Sequence, residues 1–415
     1  LLVPGPGLEQ PNDIIIDDQG NYIVVGSSLD VESLNYSAIA LKISQTGEIL
    51  THKQFSFNDS TCSFSNILKT DSNFIVFGGI GPSSVGQSYL MICSFDFDLN
   101  LKWRKLYKFS NEHILGGIRA KFDLDGNIIV IGSAMKEVKY LDVDPFEFKC
   151  STTGDSILMV VHSLDQNQYD YDFLIKPDSS GYISFAYGRY HPYPFMPGQA
   201  VYYNTSFSIE KAREVPNELY DAHTARWIDN DKFLLSGKKM FHNPLLRGMG
   251  LMKLDTSLSV LDEKYFGYFP DTTSYPGWIR NFDYIDLNNI FFIGTKNQEE
   301  HVQSMPSWIM LFKLDSALDI VWERYYGGDV MYVSWVVSAT EDGGCIIAGS
   351  RYDYNFPGYD FDVYIIKTDE NGIVTSTEEN TNLDPQIINI YPNPGNDHIN
   401  IQTSILHANF ELLSF

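Results

Sequence analysis

The stretch "EDGGCIIAGS" (Glu341–Ser350) has a near-twin close to the other end of the chain, "DDQGNYIVVGS" (Asp17–Ser27). Each joins a polar turn to an apolar run that closes on Gly-Ser. The hexad within it recurs between them, as "NFIVFG" to Gly78, "NIIVIG" to Gly132, "GYISFA" to Ala186, "KFLLSG" to Gly237 and "NIFFIG" to Gly294. The seven copies, from Gly26 to Gly349, stand 52, 54, 54, 51, 57 and 55 residues apart. An interval this constant marks an internal repeat, and the fold must be built from one unit used again and again.

The unit has a fixed grammar. An apolar strand such as "DIIID" comes first, then a turn of Asp, Asn and Gly ("DDQG", "DLDG", "EDGG"), then the strand ending on the recurrent Gly. Asp-Gly and Gly-Gly here signal tight hairpins, with primed turns expected because Gly and Asn tolerate positive φ. A third strand often closes on an apolar residue and Lys: Leu41-Lys42, Phe148-Lys149, Met252-Lys253, Phe312-Lys313, Ile366-Lys367. A second turn ("SQTGE", "TDENG") leads to a fourth strand such as "IVWERYYGG".

Four short antiparallel strands make a twisted sheet with two apolar faces that it cannot bury alone. Radial packing, face against face, buries both. The expected fold is therefore all-β: a seven-bladed β-propeller of four-stranded antiparallel blades over residues 10–378. The first strand of each blade lines the channel, and the recurrent Gly allows a bulge or close backbone approach.

Composition agrees with this class. Aromatics make up 14% of the chain and suit pleated faces. A formal charge of −24 argues against nucleic acid or an anionic membrane as partner, and no apolar run is long enough for a membrane span. The four cysteines are dispersed and read as buried core residues.

The repeats resemble those of bacterial secreted propeller proteins, best in the last copy, with "WERYYGG" (Trp322–Gly328), "EDGGCIIAGS" and "DVYIIKTDENG" (Asp362–Gly372). That resemblance implies a fold but no fixed activity. After a polar linker, residues 379–386, the tail "IINIYPNPGNDHINIQ" (Ile387–Gln402) reads as strand, Pro-Asn-Pro turn and strand, the start of a small β-sandwich over 387–415. It resembles the type A C-terminal sorting domain of the type IX secretion system of Bacteroidota. Tyr391, Pro392, Asn393 and Pro394 carry the match, with Asp397, Ile399 and Ile401 in supporting places. The resemblance implies a secreted or cell-surface protein that meets the type IX secretion machinery. Such domains run on through further strands, so a chain that starts on Leu1 and stops at Phe415 reads as cut at both ends.

Motifs for nucleophilic catalysis, phosphate binding and zinc are absent from the sequence. His113 and His223 fall near the starts of expected innermost strands and read as structural. "FDLDGN" (Phe122–Asn127) and "LDVDPF" (Leu141–Phe146) gather carboxylates that suit calcium, but neither completes a calcium loop. No cofactor is expected. Two aromatic loops stand out, "YGRYHPYPFMPGQ" (Tyr187–Gln199) and "SRYDYNFPGYDFD" (Ser350–Asp362). The candidate ligand-binding residues are Arg189, Tyr190, His191 and Tyr193 in the first, and Arg351, Tyr352, Tyr354 and Tyr359 in the second. Aromatics with Arg and Asp on variable loops of a rigid frame suit a glycan or protein ligand. The sequence thus points to a non-catalytic binding or scaffold module. An extracellular hydrolase or lyase with its site at the channel mouth is the alternative, because single carboxylates from separate blades leave no linear motif.

Overall fold

A computed structural model describes residues 1–5, 7–57, 60–82, 89–109, 113–135, 143–162, 167–189, 198–217, 219–242, 245–267, 273–298, 305–355, 361–375, 389–391 and 400–402. Among them there is strand and turn but no helix. The second repeat shows the unit: Ser60–Lys69, Phe74–Pro82, Tyr89–Phe95 and Leu101–Tyr107 form one antiparallel sheet in chain order. The third, fourth and fifth repeats do the same, starting from His113–Phe122, Asn167–Ile175 and Leu219–Trp227. In the sixth the innermost strand is broken into Ser274–Pro276 and Phe282–Tyr284, both paired with Ile290–Lys296.

The first and last repeats share a sheet. Met331–Ala339, Cys345–Tyr352 and Phe361–Thr368 continue into Leu8–Ile16, Tyr22–Asp30, Asn35–Ile43 and Ile49–Phe55, through a single parallel pair, Leu8 with Phe361. Among the described residues the last repeat has no fourth strand of its own. Leu2–Val3 takes that place, Leu2 facing Tyr364 and Val3 facing Val363. Ser350 Oγ adds a bond to the Glu9 carbonyl at 2.9 Å. The compact unit is therefore Leu1–Thr375 rather than a unit starting at residue 10, because the opening residues complete the sheet that ends the repeats. In the separate unit Ser376–Phe415, Asn389–Tyr391 pairs antiparallel with Asn400–Gln402.

Apolar side chains collect between consecutive repeats, not within one. Val25 and Ala40 pack on Phe64 and Val76; Leu235 and Met252 on Phe185 and Tyr202; Ile14 and Val24 on Val336 and Ile346. Each fully buried Phe or Ile contributes roughly 1.5–3 kcal/mol, so neighbouring sheets hold each other in place.

The hairpins are not primed turns. Gly20 donates to the Asp17 carbonyl at 2.9 Å and is itself left-handed (φ 77°), a type I turn followed by a Gly bulge. The Asp side chain caps the turn from below: Asp17 Oδ1 accepts from the Gln19 and Asn21 amides. Asp96, Asp123, Asp255, Asp315 and Asp369 repeat this capping. Much of the acidity is thus turn chemistry. Three of the repeated Lys belong to the same device, with Lys42 Nζ 3.1 Å from Asp17, Lys149 2.6 Å from Asp123 and Lys367 2.7 Å from Asp342, whereas Lys253 and Lys313 donate to the Ser316 and Glu370 carbonyls of the next repeat.

The recurrent Gly lies opposite a bulge in the innermost strand. Gly26 faces Pro11, and the register slips between Pro11 and Asp13; Gly78 faces Phe64, and it slips between Phe64 and Asn66. The same holds for Gly237 and Gly349. A Cβ on Gly26 or Gly78 would stand 2.0 or 1.9 Å from the carbonyl oxygen of Gln10 or Ser63. Nothing in the structure explains why the fourth repeat takes Ala186 at this place.

The bulges build a polar belt around the channel. Residues next to several of them turn a side chain toward the following repeat. Asp13 accepts from the Asn66 amide (2.6 Å) and the Ile67 N–H (3.1 Å). Asn66 accepts from the Ala120 N–H (2.9 Å), and Asp172 from the Ala225 N–H (2.9 Å). Thr224 binds both the Ile279 carbonyl and the Asn281 N–H, and Asp283 accepts from the Ala339 N–H at 3.0 Å. Arg280 closes the circuit by donating to the carbonyls of Val337 and Ile14.

Candidate functional site

Two cavities meet on the channel. One, of about 490 Å³, opens at the starts of the innermost strands. The other, of about 530 Å³, opens at their ends, and Arg119 and Ile279 line both. These two residues form the neck between an aromatic mouth and a charged one.

The bulges furnish the aromatic mouth. Tyr171, His223 and Trp335 are the bulge residues of the fourth, fifth and seventh repeats, Trp278 lies in the break of the sixth innermost strand, and the four form an arc. The rings of Tyr171 and His223 lie 4.7 Å apart, His223 and Trp278 6.2 Å, and Trp278 and Trp335 6.3 Å. Tyr275 stacks behind Trp278 at 6.0 Å. Trp335 is fixed by a bond from its indole N–H to Ser350 Oγ (2.9 Å), whereas the indole N–H of Trp278 has no partner among the described residues. The opposite wall is polar and small: Gln10, Asn12, Thr61, Ser63 and Ser65. His223 is buried, and burial first, then the positive charges of Lys238 and Arg119, push its pKa down to about 3 against the bond to the Trp278 carbonyl. It is neutral at working pH and serves as part of the wall.

The charged mouth is lined by Asp13, Lys121, Asp172, Arg226, Arg280 and Asp283. Lys121 stands 2.7 Å from Asp172, Arg280 3.4 Å from Asp13, and Arg226 pairs with Asp283. Its carboxylates are held by these cations and by the belt. No group of three or more metal-binding side chains is assembled among the described residues. Asp123 of "FDLDGN" caps its turn and pairs with Lys149; Leu141 and Asp142 of "LDVDPF" lie outside the described residues.

Of the two aromatic loops, Tyr190, His191, Tyr193 and Tyr359 lie outside the described residues. Arg189 pairs with Asn167, and Arg351 with Tyr332, so both loops leave their strands on the side of the aromatic mouth. Arg351 reaches the Tyr332 hydroxyl (3.2 Å) and Asp353 (3.0 Å). Tyr352 is buried and stacks on Phe361 at 4.8 Å, with Tyr354 at its edge. The described residues of this loop are thus packed onto the sheet. Tyr391 lies in the tail hairpin, while Pro392, Asn393, Pro394 and Asp397 lie outside the described residues. His113 starts its strand as expected, and the four cysteines are free and buried.

Sequence reasoning missed Tyr171, Trp278, Trp335 and Arg119. A signal existed for Tyr171 and Trp335, which stand at the bulge of their innermost strands; Trp278 lies in the break of the sixth innermost strand, and Arg119 follows the bulge of the third. Away from the channel, Glu147 is fully buried between the third and fourth repeats, its Oε2 2.8 Å from His162 Nε2. Burial pushes its pKa up, against hydrogen bonds from His162, Tyr203 and Tyr182.

No protein-family model matches the chain, and no curated protein matches it in sequence. Solved structures do resemble it. A polysaccharide lyase, an ulvan lyase, matches over 90% of this chain and 97% of its own with a TM-score of 0.52 at 11% identity. A protein of unknown function from Dyadobacter fermentans DSM 18053 matches over 87% and 96% with a TM-score of 0.50 at 8% identity. The propeller domain of the trilobed protease from Pyrococcus furiosus covers 88% and 96% at 9% identity, with a TM-score of 0.48. Identities this low speak for the fold alone. With radially paired sheets joined at their two ends, the chain is a β-propeller.

Proposed function

We propose that the chain is a seven-bladed propeller acting as a non-catalytic binding module for a glycan or protein ligand, secreted or held at the cell surface. The blade count draws on the apolar clusters, which join each repeat to the next and the seventh to the first. The shared sheet then counts as two blades meeting at one residue pair. The rings of Tyr171, Trp278 and Trp335, backed by the buried His223, carry the binding reading. Partly exposed rings facing small hydroxyl and amide side chains grip a ligand, whereas acid–base chemistry needs ionisable groups converging on one point. The loops bearing Arg189, Tyr190, His191, Tyr193, Arg351, Tyr352, Tyr354 and Tyr359 would extend this surface. The Tyr391–Pro394 motif and the hairpin around it support delivery by the type IX secretion machinery. A hydrolase or lyase would have to use the charged mouth, whose carboxylates are already committed to ion pairs.

The test is a combined glycan and peptide array probed with the whole chain, then with Trp278→Ala and Trp335→Ala. Each variant should weaken the hits about tenfold, the loss expected for one stacked ring. Hits unchanged in both variants, or no hits at all, would refute the assignment.

A further inference from the structure

Among the described residues that line the aromatic cavity, Arg119 is the one ionised side chain, and it is a cation in a chain of net charge −24. Its Nη1 donates to the Ile118 carbonyl (2.9 Å) and, at the limit, to the Ser65 carbonyl (3.4 Å). Nε and Nη2 have no hydrogen-bond partner among the described residues. A guanidinium has five N–H donors in a rigid fork, so one edge of this fork is unspent.

The carboxylates beyond the neck do not fill that edge. Asp13 is occupied by Asn66, by the Ile14 and Ile67 N–H groups and by Arg280. Asp172 is occupied by Lys121 and by the Phe173 and Ala225 N–H groups. Three cations at the neck, Arg119, Lys121 and Arg280, face these two anions, and one positive charge is left over. Burial acts against the charge on Arg119, while Asp13 and Asp172 sustain it. A ligand anion arriving from the aromatic side would complete the fork bidentately, the strongest hydrogen-bonding geometry that Arg offers.

We propose that the aromatic mouth binds an acidic sugar residue of a glycan, with Arg119 taking its carboxylate and Trp278 and Trp335 its ring. This rests on the binding-module reading and narrows it to a ligand class. Trp faces suit the C–H face of a pyranose. The side chains of Gln10, Asn12, Ser63 and Ser65 supply the donors and acceptors that sugar hydroxyls need. A cavity of about 490 Å³ is of a size for one or two rings.

The experiment compares uronate oligosaccharides with their methyl esters, which keep the ring and linkage and lose only the charge. Both are arrayed beside neutral glucans and xylans and acidic peptides. The free acids should bind at least about tenfold more tightly than the esters, the scale of one charge-assisted hydrogen-bonded pair. Arg119→Gln should abolish that difference, and Arg119→Lys should keep part of it. The acid–ester comparison on the unmodified chain needs no variant, so a misfolded Arg119→Gln does not blunt it. Esters binding as well as acids, or hits confined to neutral glycans or peptides, overturn the acidic-sugar assignment and leave the module standing. No hit of any kind removes both.

Discussion

Replacing Asp13 by Ala tests the polar belt where it is most heavily loaded. The carboxylate accepts from the Ile14 N–H at 2.9 Å, the Asn66 amide at 2.6 Å and the Ile67 N–H at 3.1 Å, and it faces Arg280 at 3.4 Å. Alanine removes every one of these acceptors from a site that is nearly inaccessible to water. The Ile67 N–H and the Asn66 amide then stay buried without partners. Each orphaned donor costs about 1–3 kcal/mol, and an uncompensated cation beside them adds to that. With some relief from water entering the channel, the loss should be about 3–5 kcal/mol. Asn at this position retains an acceptor and the shape, and should lose about half as much. Guanidinium unfolding of the wild type and both variants measures this directly, read as a shift of midpoint at constant slope. Pairing Asp13→Ala with Asn66→Ala completes a double-mutant cycle. The two changes should be non-additive by about 1 kcal/mol or more, since each deletes the other's partner. A loss under about 1 kcal/mol for Asp13→Ala, within the range of ordinary surface changes, would refute the idea that the belt holds neighbouring repeats together.

Gly372 is left-handed (φ 74°), and a Cβ there would meet the Trp322 ring at 2.8 Å; Gly126 is also left-handed (φ 78°) but faces open space. Gly126→Ala should therefore cost about 1 kcal/mol of backbone strain, and Gly372→Ala about 1–3 kcal/mol more through the clash, read by thermal unfolding. Because His223 has a folded pKa of about 3, below its unfolded value, the unfolded chain binds more protons in between. Stability should fall as pH drops from about 6.5 toward 3, and His223→Gln should flatten that slope. An imidazole nitrogen shift for His223 that titrates near neutrality would contradict the burial argument.

The repeat was legible because its spacing comes from backbone needs that recur in every unit: a capped turn, a Gly facing a bulge, and apolar strands on both faces. Gly26, Gly78, Gly237 and Gly349 can be found by eye since a Cβ at each would crowd a carbonyl of the neighbouring strand. Turn type was less legible, because Gly in "DDQG" serves a left-handed bulge position as readily as a primed turn. Leu99, Leu258 and Leu318 take the same left-handed place in other turns, where burial of the side chain offsets the strain. Leu2–Val3 gave no signal at all, since two residues carry no periodicity and their partner strand lies at the far end of the chain. The channel residues were hidden for another reason. Tyr171 and Trp335 sit among strand residues that look like core, and only the bulge decides that they face the channel, while Trp278 lies where the sixth innermost strand is broken.

The pairing of Leu2–Val3 with Phe361–Thr368 makes the first residues of the chain and its last repeat a single mechanical seam. An open stack of repeats can gain or lose a unit at either end and still fold. Here any added unit would have to be accommodated by every neighbour at once, since the circle must shut on the same two short strands. Duplication at the level of the gene therefore meets a geometric veto, and the seam is where a pulling force or a protease would be expected to open the ring first.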